Sequence, residues 1–132
     1  MKIAIDTDVL IYLVKKKILD RFLEKYDACL TIINEYEYMR GEVKAGISPD
    51  ESKRTIMDAF EILSLDNKSI KVASEIWSEL SKRGELIDER DLLIGAICIA
   101  NKIPLWTFNK KHFERLKKFG LVLKDVDLKE IK

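Results

Sequence analysis

The chain alternates between short apolar runs and longer stretches in which apolar residues recur every three or four positions. The first run, residues 2–6 (KIAID), is too short for a helix and reads as a buried strand. TDVLIYLVKK (7–16) and ILDRFLEKY (18–26) carry helical spacing, ACLT (28–31) reads as a second strand, and 33–46 as a helix with Gly41 inside it. Ser48, Pro49 and Glu51 form a helix start: serine caps, proline suits the first turn, and the glutamate completes a capping box. That helix is expected to reach about residue 62, with LSL (63–65) as a third short strand. Asp66 or Asn67 is placed to cap the next helix, 69–83, which Gly84 ends. Asp88 and Asp91 repeat the capping-box spacing, and the helix after them is apolar on most faces to about Asn101, a pattern that belongs in the middle of a domain. Pro104 opens the strand PLWTF, Asn109 is placed to cap a helix over 110–119, and LVLKD (121–125) is expected to close the sheet.

Strands alternating with helices predict an α/β sandwich around a mostly parallel sheet. No linker, low-complexity run or repeat interrupts the pattern, so residues 1–132 are expected to form a single domain, long enough to bury a core without staples. A net charge of +1 excludes a broadly basic nucleic-acid coat, so any anionic partner must be held by local patches or by metal. The longest apolar stretch, 92–100, is far too short to span a bilayer, and the N-terminus reads as strand rather than signal peptide, which predicts a cytoplasmic protein without a membrane partner. Cys29 and Cys98 both lie in apolar segments and read as buried reduced thiols.

Against this background two carboxylates stand out. Asp6 and Asp8 lie within the otherwise apolar KIAIDTDVLIYL, and an ionised carboxylate removed from water needs compensation. In a parallel sheet, ligands bind beyond the carboxyl ends of the strands. Asp6 and Asp8 follow the first strand, Glu37 lies on the helix after ACLT, Asp91 starts the apolar helix, and Asn109 follows PLWTF. If these strands are parallel neighbours, four or five oxygen-bearing side chains share one pocket. Clustered carboxylates need a cation, and hard oxygen donors without paired His or Cys suit Mg²⁺ or Mn²⁺. One such ion, or two roughly 3.5–4 Å apart, can activate water and stabilise a phosphodiester in transfer. Each residue also has a plainer reading: Asp8, Asp91 and Asn109 as helix caps, Glu37 as one acid on a solvated face.

At these residues the sequence resembles the PIN-domain ribonucleases, particularly the VapC-like toxins of prokaryotic toxin–antitoxin pairs. IAIDTDVLIYL is similar to the family's first motif, an apolar strand followed by Asp-Thr-Asn or a near variant. TIINEYEYMRG is similar to the second, with an acid four residues before a glycine, which selects Glu37 over Glu35. The block from Ile87 to Leu116 resembles the third and fourth motifs together. The resemblance implies a central parallel sheet of four or five strands between helical layers, a Mg²⁺ or Mn²⁺ cofactor, and cleavage of single-stranded RNA to a 5′-phosphate and a 3′-hydroxyl. It also implies a cognate antitoxin that covers the active site, and a homodimer. Asp6, Glu37 and Asp91 match the core acids, with Asp6 and Asp91 as metal ligands and Glu37 orienting water. Asn109 matches a fourth position that is often aspartate. That departure bears on the second metal, and Asp8, where the family often has Asn or Ser, is placed to supply the charge. Thr107 matches a frequent hydroxyl residue just before the fourth position.

Other features read as structural. His112, the only histidine, is expected on the surface or as a cap, and Phe113 in the core. Trp77 and Trp106 read as core or dimer contacts; a base-stacking role for Trp106 or Phe108 is the lesser reading. Lys15, Lys110 and Lys111 read as solvated helix ends, or as phosphate contacts if their helices flank the acids. Two rival functions remain open here. Asp6-x-Asp8 after an apolar strand also fits a haloacid-dehalogenase-type phosphotransferase with an aspartate nucleophile. A non-catalytic RNA- or protein-binding module with a degraded site is the other.

Overall fold

β1 (Lys2–Ile5) lies inside the sheet because both its faces are apolar: Ile3 and Ile5 enter one hydrophobic cluster and Ala4 the opposite one, all fully buried. The computed structural model describes residues 2–131. Around β1, the four described strands form a parallel sheet in the order β3-β2-β1-β4, with β2 at Asp27–Thr31, β3 at Glu61–Leu63 and β4 at Leu105–Trp106. The described helices that cover it are α1 (Thr7–Lys15), α2 (Leu19–Lys25), α3 (Ile32–Lys44), α4 (Pro49–Ala59), α5 (Asn67–Lys82), α6 (Glu89–Asn101) and α7 (Lys110–Phe113). Helices on both faces make the three-layer α/β/α sandwich that the alternation predicts.

One core, on the Ile3–Ile5 face, gathers Val9, Leu10 and Leu13 from α1, Phe22 from α2 and Trp106 from β4. The other gathers Ile76 and Leu80 from α5 with Leu92, Ile94, Ile97 and Cys98 from α6. Two faces of α6 are buried, as its all-round apolar sequence requires. Gly95 makes room there for Leu116, whose Cδ1 would stand 2.3 Å from a Cβ at that position. Cys29 and Cys98 are buried free thiols, and burial pushes Cys29 up to about 12.

Four expectations are corrected. The helix begun at Ser48 stops at Ala59, and the third strand is Glu61–Leu63 rather than 63–65. The cause is alternation: Phe60 and Ile62 face one core and Leu63 the other, which fixes an extended backbone from Phe60 onward. The helix expected over 110–119 becomes α7 and a 3-10 segment, Glu114–Phe119. Buried Phe113 and Leu116 are three residues apart, a spacing that a 3-10 turn aligns. Finally, 121–125 does not form a full strand but pairs with β4 at one bridge, Leu105 with Leu123. This segment wraps the sheet edge, with Leu121 in one core and Val126 in the other.

Candidate active site

The parallel register brings the ends of β1 and β4 and the starts of α1, α3 and α6 to one edge of the sheet. There a cleft of about 370 Å³ is lined by Asp6, Thr7, Asp8, Ile11, Glu37, Asp88, Arg90, Asp91, Asn109 and His112. Five carboxylates thus meet one arginine and one imidazole. All four residues expected to be catalytic line this cleft, and so does Asp8; Thr107 lies directly beneath it.

Asp6 caps α1 and is 8% exposed. Its Oδ1 accepts from the Thr7 N–H and the Asn34 amide, both at 2.9 Å, and its Oδ2 from the Thr107 hydroxyl at 2.7 Å. Asn34 is held by its own helix cap: the Thr31 hydroxyl donates to Asn34 Oδ1 at 2.7 Å and accepts from the Asn34 N–H at 3.2 Å. This fixes which end of the Asn34 amide faces Asp6 and also directs it to Thr7 Oγ1 at 3.0 Å. The Thr7 hydroxyl donates in turn to Glu37 Oε1 at 3.1 Å. Asn34 and Glu37 are three residues apart, so one face of α3 serves both contacts. Arg90 lies 3.4 Å from the other Glu37 oxygen.

Asp8 sits in the first turn of α1, and the cap position belongs to Asp6. Asp8 Oδ2 accepts from the Asn109 amide at 2.9 Å and the Phe108 N–H at 3.3 Å. Its Oδ1 is buried with no hydrogen-bond partner. Burial, followed by the charge of Asp6, pushes the Asp8 carboxyl up to about 6. Asn109 forms no side-chain cap on α7, contrary to the sequence expectation, because its amide faces Asp8 while its N–H donates to Thr107 Oγ1. Asp91 stands in the first turn of α6, behind the cap residue Asp88. Burial, then the charge of Asp88 and lesser effects of Asp6 and Glu37, raises Asp91 to about 6, opposed by His112. His112 is exposed, as expected, but its Nδ1 is 3.6 Å from Asp91 Oδ2, so it forms part of the cleft wall.

Hard oxygen donors suit a divalent cation. Among the described residues, no three acid, imidazole or thiol groups are already gathered to ligate one ion. The donor set still fits such a cation chemically. Burial first and neighbouring carboxylates second raise Asp8 and Asp91, and a cation beside the partnerless Asp8 oxygen would offset both effects.

The other predicted residues lie outside this core. Lys110 pairs with Asp125 at 2.6 Å, Lys111 lines a shallow cleft beside Asp91 and His112, and Lys15 is exposed at the end of α1. Trp106 is buried and Trp77 is half-exposed in an apolar groove between α5 and α6. Sequence reasoning missed Asn34, Thr7 and Arg90. A usable signal for Asn34 was its spacing after Thr31, which is that of a capping threonine and the residue whose amide it accepts.

An apolar groove of about 400 Å³, lined by Ile11, Val14, Tyr38, Gly41 and Ile47, adjoins the cleft and shares Ile11 and Glu37 with it. Among the described residues no helix is long and apolar enough to cross a membrane.

Comparison with known proteins accords with this arrangement. The chain is 42% identical over 127 residues to "Ribonuclease VapC1" of Methanocaldococcus jannaschii, covering 94% of this chain and 88% of that protein. It is 31% identical over 123 residues to "Ribonuclease VapC2" of Haemophilus influenzae, covering 88% and 92%. The fold is similar to that in the crystal structure of VapBC2 from Rickettsia felis bound to promoter DNA, with a TM-score of 0.77, 24% identity, and coverage of 96% of this chain and 100% of that one. It is similar also to DNA-bound VapBC from Salmonella typhimurium, with a TM-score of 0.77, 20% identity, and coverage of 95% and 98%. The family model described as "PIN domain" matches residues 3–119, and the chain belongs to the PIN domain family.

Proposed function

We propose that this chain is a metal-dependent endoribonuclease that cleaves single-stranded RNA and acts as the toxin of a toxin–antitoxin pair. One observation carries the catalytic reading: a PIN domain gathers five carboxylates in one cleft and leaves a buried oxygen of Asp8 without a partner. Relatives named ribonuclease VapC, and a fold shared with proteins solved in VapBC complexes, support the biological role.

VapC ribonucleases generally depend on a divalent metal, and Mg²⁺ or Mn²⁺ fits an all-oxygen site. Asp6, Asp8 and Asp91 would hold it. Such a cation supplies charge neutralisation at the phosphate and makes water acidic enough to attack near neutral pH. Asn109 orients Asp8 through its amide, with the anionic group on α1 and the neutral one after β4. Thr107 and Asn34 hold the Asp6 carboxylate in one orientation. Glu37, fixed by Thr7 and Arg90, accepts the proton of the attacking water. The new bond joins the water oxygen to phosphorus, the bond to the 3′ oxygen breaks, and that oxygen takes up a proton from solvent to become a 3′-hydroxyl, with the 5′-phosphate on the other product. Lys15 and Lys111 are suited to contact flanking phosphates; the ion pair of Lys110 with Asp125 competes with such a role.

A phosphotransferase mechanism fits less well, since the chain belongs to the PIN domain family and its relatives are named ribonucleases. The antitoxin's segment is proposed to lie in the apolar groove beside Glu37, where Ile11, Val14 and Ile47 offer an apolar floor. A cytoplasmic homodimer completes the proposal. The deciding experiment is cleavage of a single-stranded RNA with Mn²⁺ by the wild-type chain and by Asp6→Asn. Metal-dependent cleavage that Asp6→Asn loses is the expected result. A chain that neither cleaves nor binds Mn²⁺ is a binding module instead.

A further inference from the structure

Phe108 stands between buried Thr107 and the cleft residue Asn109, yet its side chain is 45% exposed. The ring is not loose. Tyr12 of α1 meets it edge-on at 5.4 Å and 85°, and buried Trp106 meets it at 5.8 Å and 86°. Its own N–H donates to Asp8, which ties the backbone beneath the ring to the cleft. Lys16 Nζ lies 5.9 Å from the centroid of the Tyr12 ring. Asp8, Tyr12 and Lys16 are spaced four residues apart, so they follow one face of α1 over about 12 Å. Lys15 and Lys17, both exposed, flank the outer end. The series therefore runs from carboxylate to aromatic pair to cation. A single strand of nucleic acid leaving a phosphodiester-cleaving site needs the same order of partners. Bases stack on aromatic faces, phosphates seek lysine, and only unpaired bases are free to splay onto a ring.

We propose that Phe108, braced by Tyr12, is the stacking platform for the nucleobase next to the cleaved phosphate, and that Lys16 holds a backbone phosphate beyond it. This deepens the ribonuclease reading and rests on it. Stacking binds the ground state, so the platform acts on KM far more than on kcat. Because every base has a π-face, the platform favours unpaired over paired RNA without reading sequence.

The test uses the full chain with Mn²⁺ and an unstructured RNA carrying 2-aminopurine, whose fluorescence is quenched by stacking. Phe108→Ala is expected to abolish protein-induced quenching and raise KM roughly 10- to 100-fold, with kcat little changed. Phe108→Trp is expected to keep both, and Lys16→Ala to lower the salt dependence of binding by about one ion without affecting quenching. The Phe108 ring is exposed and its N–H survives substitution, so a thermal melt close to wild type certifies the fold. Wild-type cleavage with unchanged KM and quenching in Phe108→Ala overturns the platform and leaves the ribonuclease reading standing. Failure of the wild-type chain to bind or cleave RNA overturns both. A Phe108→Ala variant that handles RNA normally but changes the chain's self-association on size exclusion makes the ring a protein contact and overturns the proposal.

Discussion

Glu35 and Glu37 lie two residues apart on α3 and meet opposite fates. Glu35 points away from the cleft, is 4% exposed, and receives the Lys53 ammonium from α4 at 2.7 Å on each oxygen. Glu37 faces the cleft, where it shares a single arginine, 3.4 Å away, with four other carboxylates. Both are acids near the surface of one helix, so the difference lies in what compensates them. Glu35 carries its counter-ion within the chain and works as a clamp between α3 and α4. The cleft acids are oriented by hydroxyls and amides, which fix geometry without cancelling charge. A site built that way keeps its affinity for a cation that arrives from outside.

The comparison breaks most sharply at Asp6. Asp6→Asn removes one negative charge but preserves an acceptor for Thr7 and Asn34. RNA cleavage is expected to fall on the order of 10²- to 10³-fold, the scale of losing a well-oriented electrostatic group, with the melting temperature little changed. Turnover near wild type would return Asp6 to the role of a simple helix cap. Lys53→Met probes the other side. It leaves Glu35 buried without a cation; losing a partner of a fully buried pair costs about 3–5 kcal/mol, and the half-exposed lysine reduces this to about 1–3 kcal/mol. Denaturant melts measure that loss, and activity per folded molecule is expected to stay unchanged. A stability loss rescued by Mn²⁺ would show that the two acids are not distinct after all.

Asn109→Asp comes next. The Asn109 amide donates to Asp8 at 2.9 Å, so an aspartate there puts two carboxylates in contact. Without metal the pair shares a proton or is strained apart, and the chain loses stability at neutral pH. With Mn²⁺ both oxygens are in demand. The melting temperature of the variant is therefore expected to respond to Mn²⁺ more steeply than wild type, with an apparent affinity about tenfold tighter. Equal responses would mean that Asn109 acts on Asp8 alone and that the cation does not approach β4.

How far this contrast was legible in the sequence depends on what each residue answers to. Asp6 showed itself because a strand with two apolar faces ends on an acid, while chain order put Asp91 at the start of the apolar helix and Asn109 just after the strand that follows it. The choice of Glu37 over Glu35 came from resemblance, since spacing assigned no partner to either; the Lys53 contact that separates them spans 18 residues. Asn34 was passed over as one polar residue inside the helix read over 33–46, and its role depends on the Thr31 hydroxyl turning its amide. The third strand shifted by two residues because Phe60 answers to a core whose position no local pattern reveals. His112 was read correctly as exposed, but its place at the wall was set by the turn from β4 into α7.

The smallest effect is in pH, and its sign is informative. Asp8 and Asp91 each move from an ordinary 3.8 up to about 6, through burial first and neighbouring acids second. A folded carboxyl with a raised pKa binds its proton more tightly than the unfolded chain does. Between about pH 4 and 6 the folded state therefore holds more protons, and stability falls as pH rises through that window. Asp66, lowered by hydrogen bonds from Ser69, acts in the opposite sense, but below its ordinary 3.8. The metal-free chain is thus expected to melt a few degrees higher at pH 5 than at pH 7.5, and Asp8→Asn to flatten part of that slope. Saturating Mg²⁺ favours the ionised carboxylates and so stabilises most at the higher pH, closing the gap. Lys53→Met, which removes the counter-ion of Glu35 outside the cleft, is expected to lower the melts at both pH values. A metal-free chain that melts higher at pH 7.5, with the same slope in Asp8→Asn, would place the charge imbalance outside the cleft.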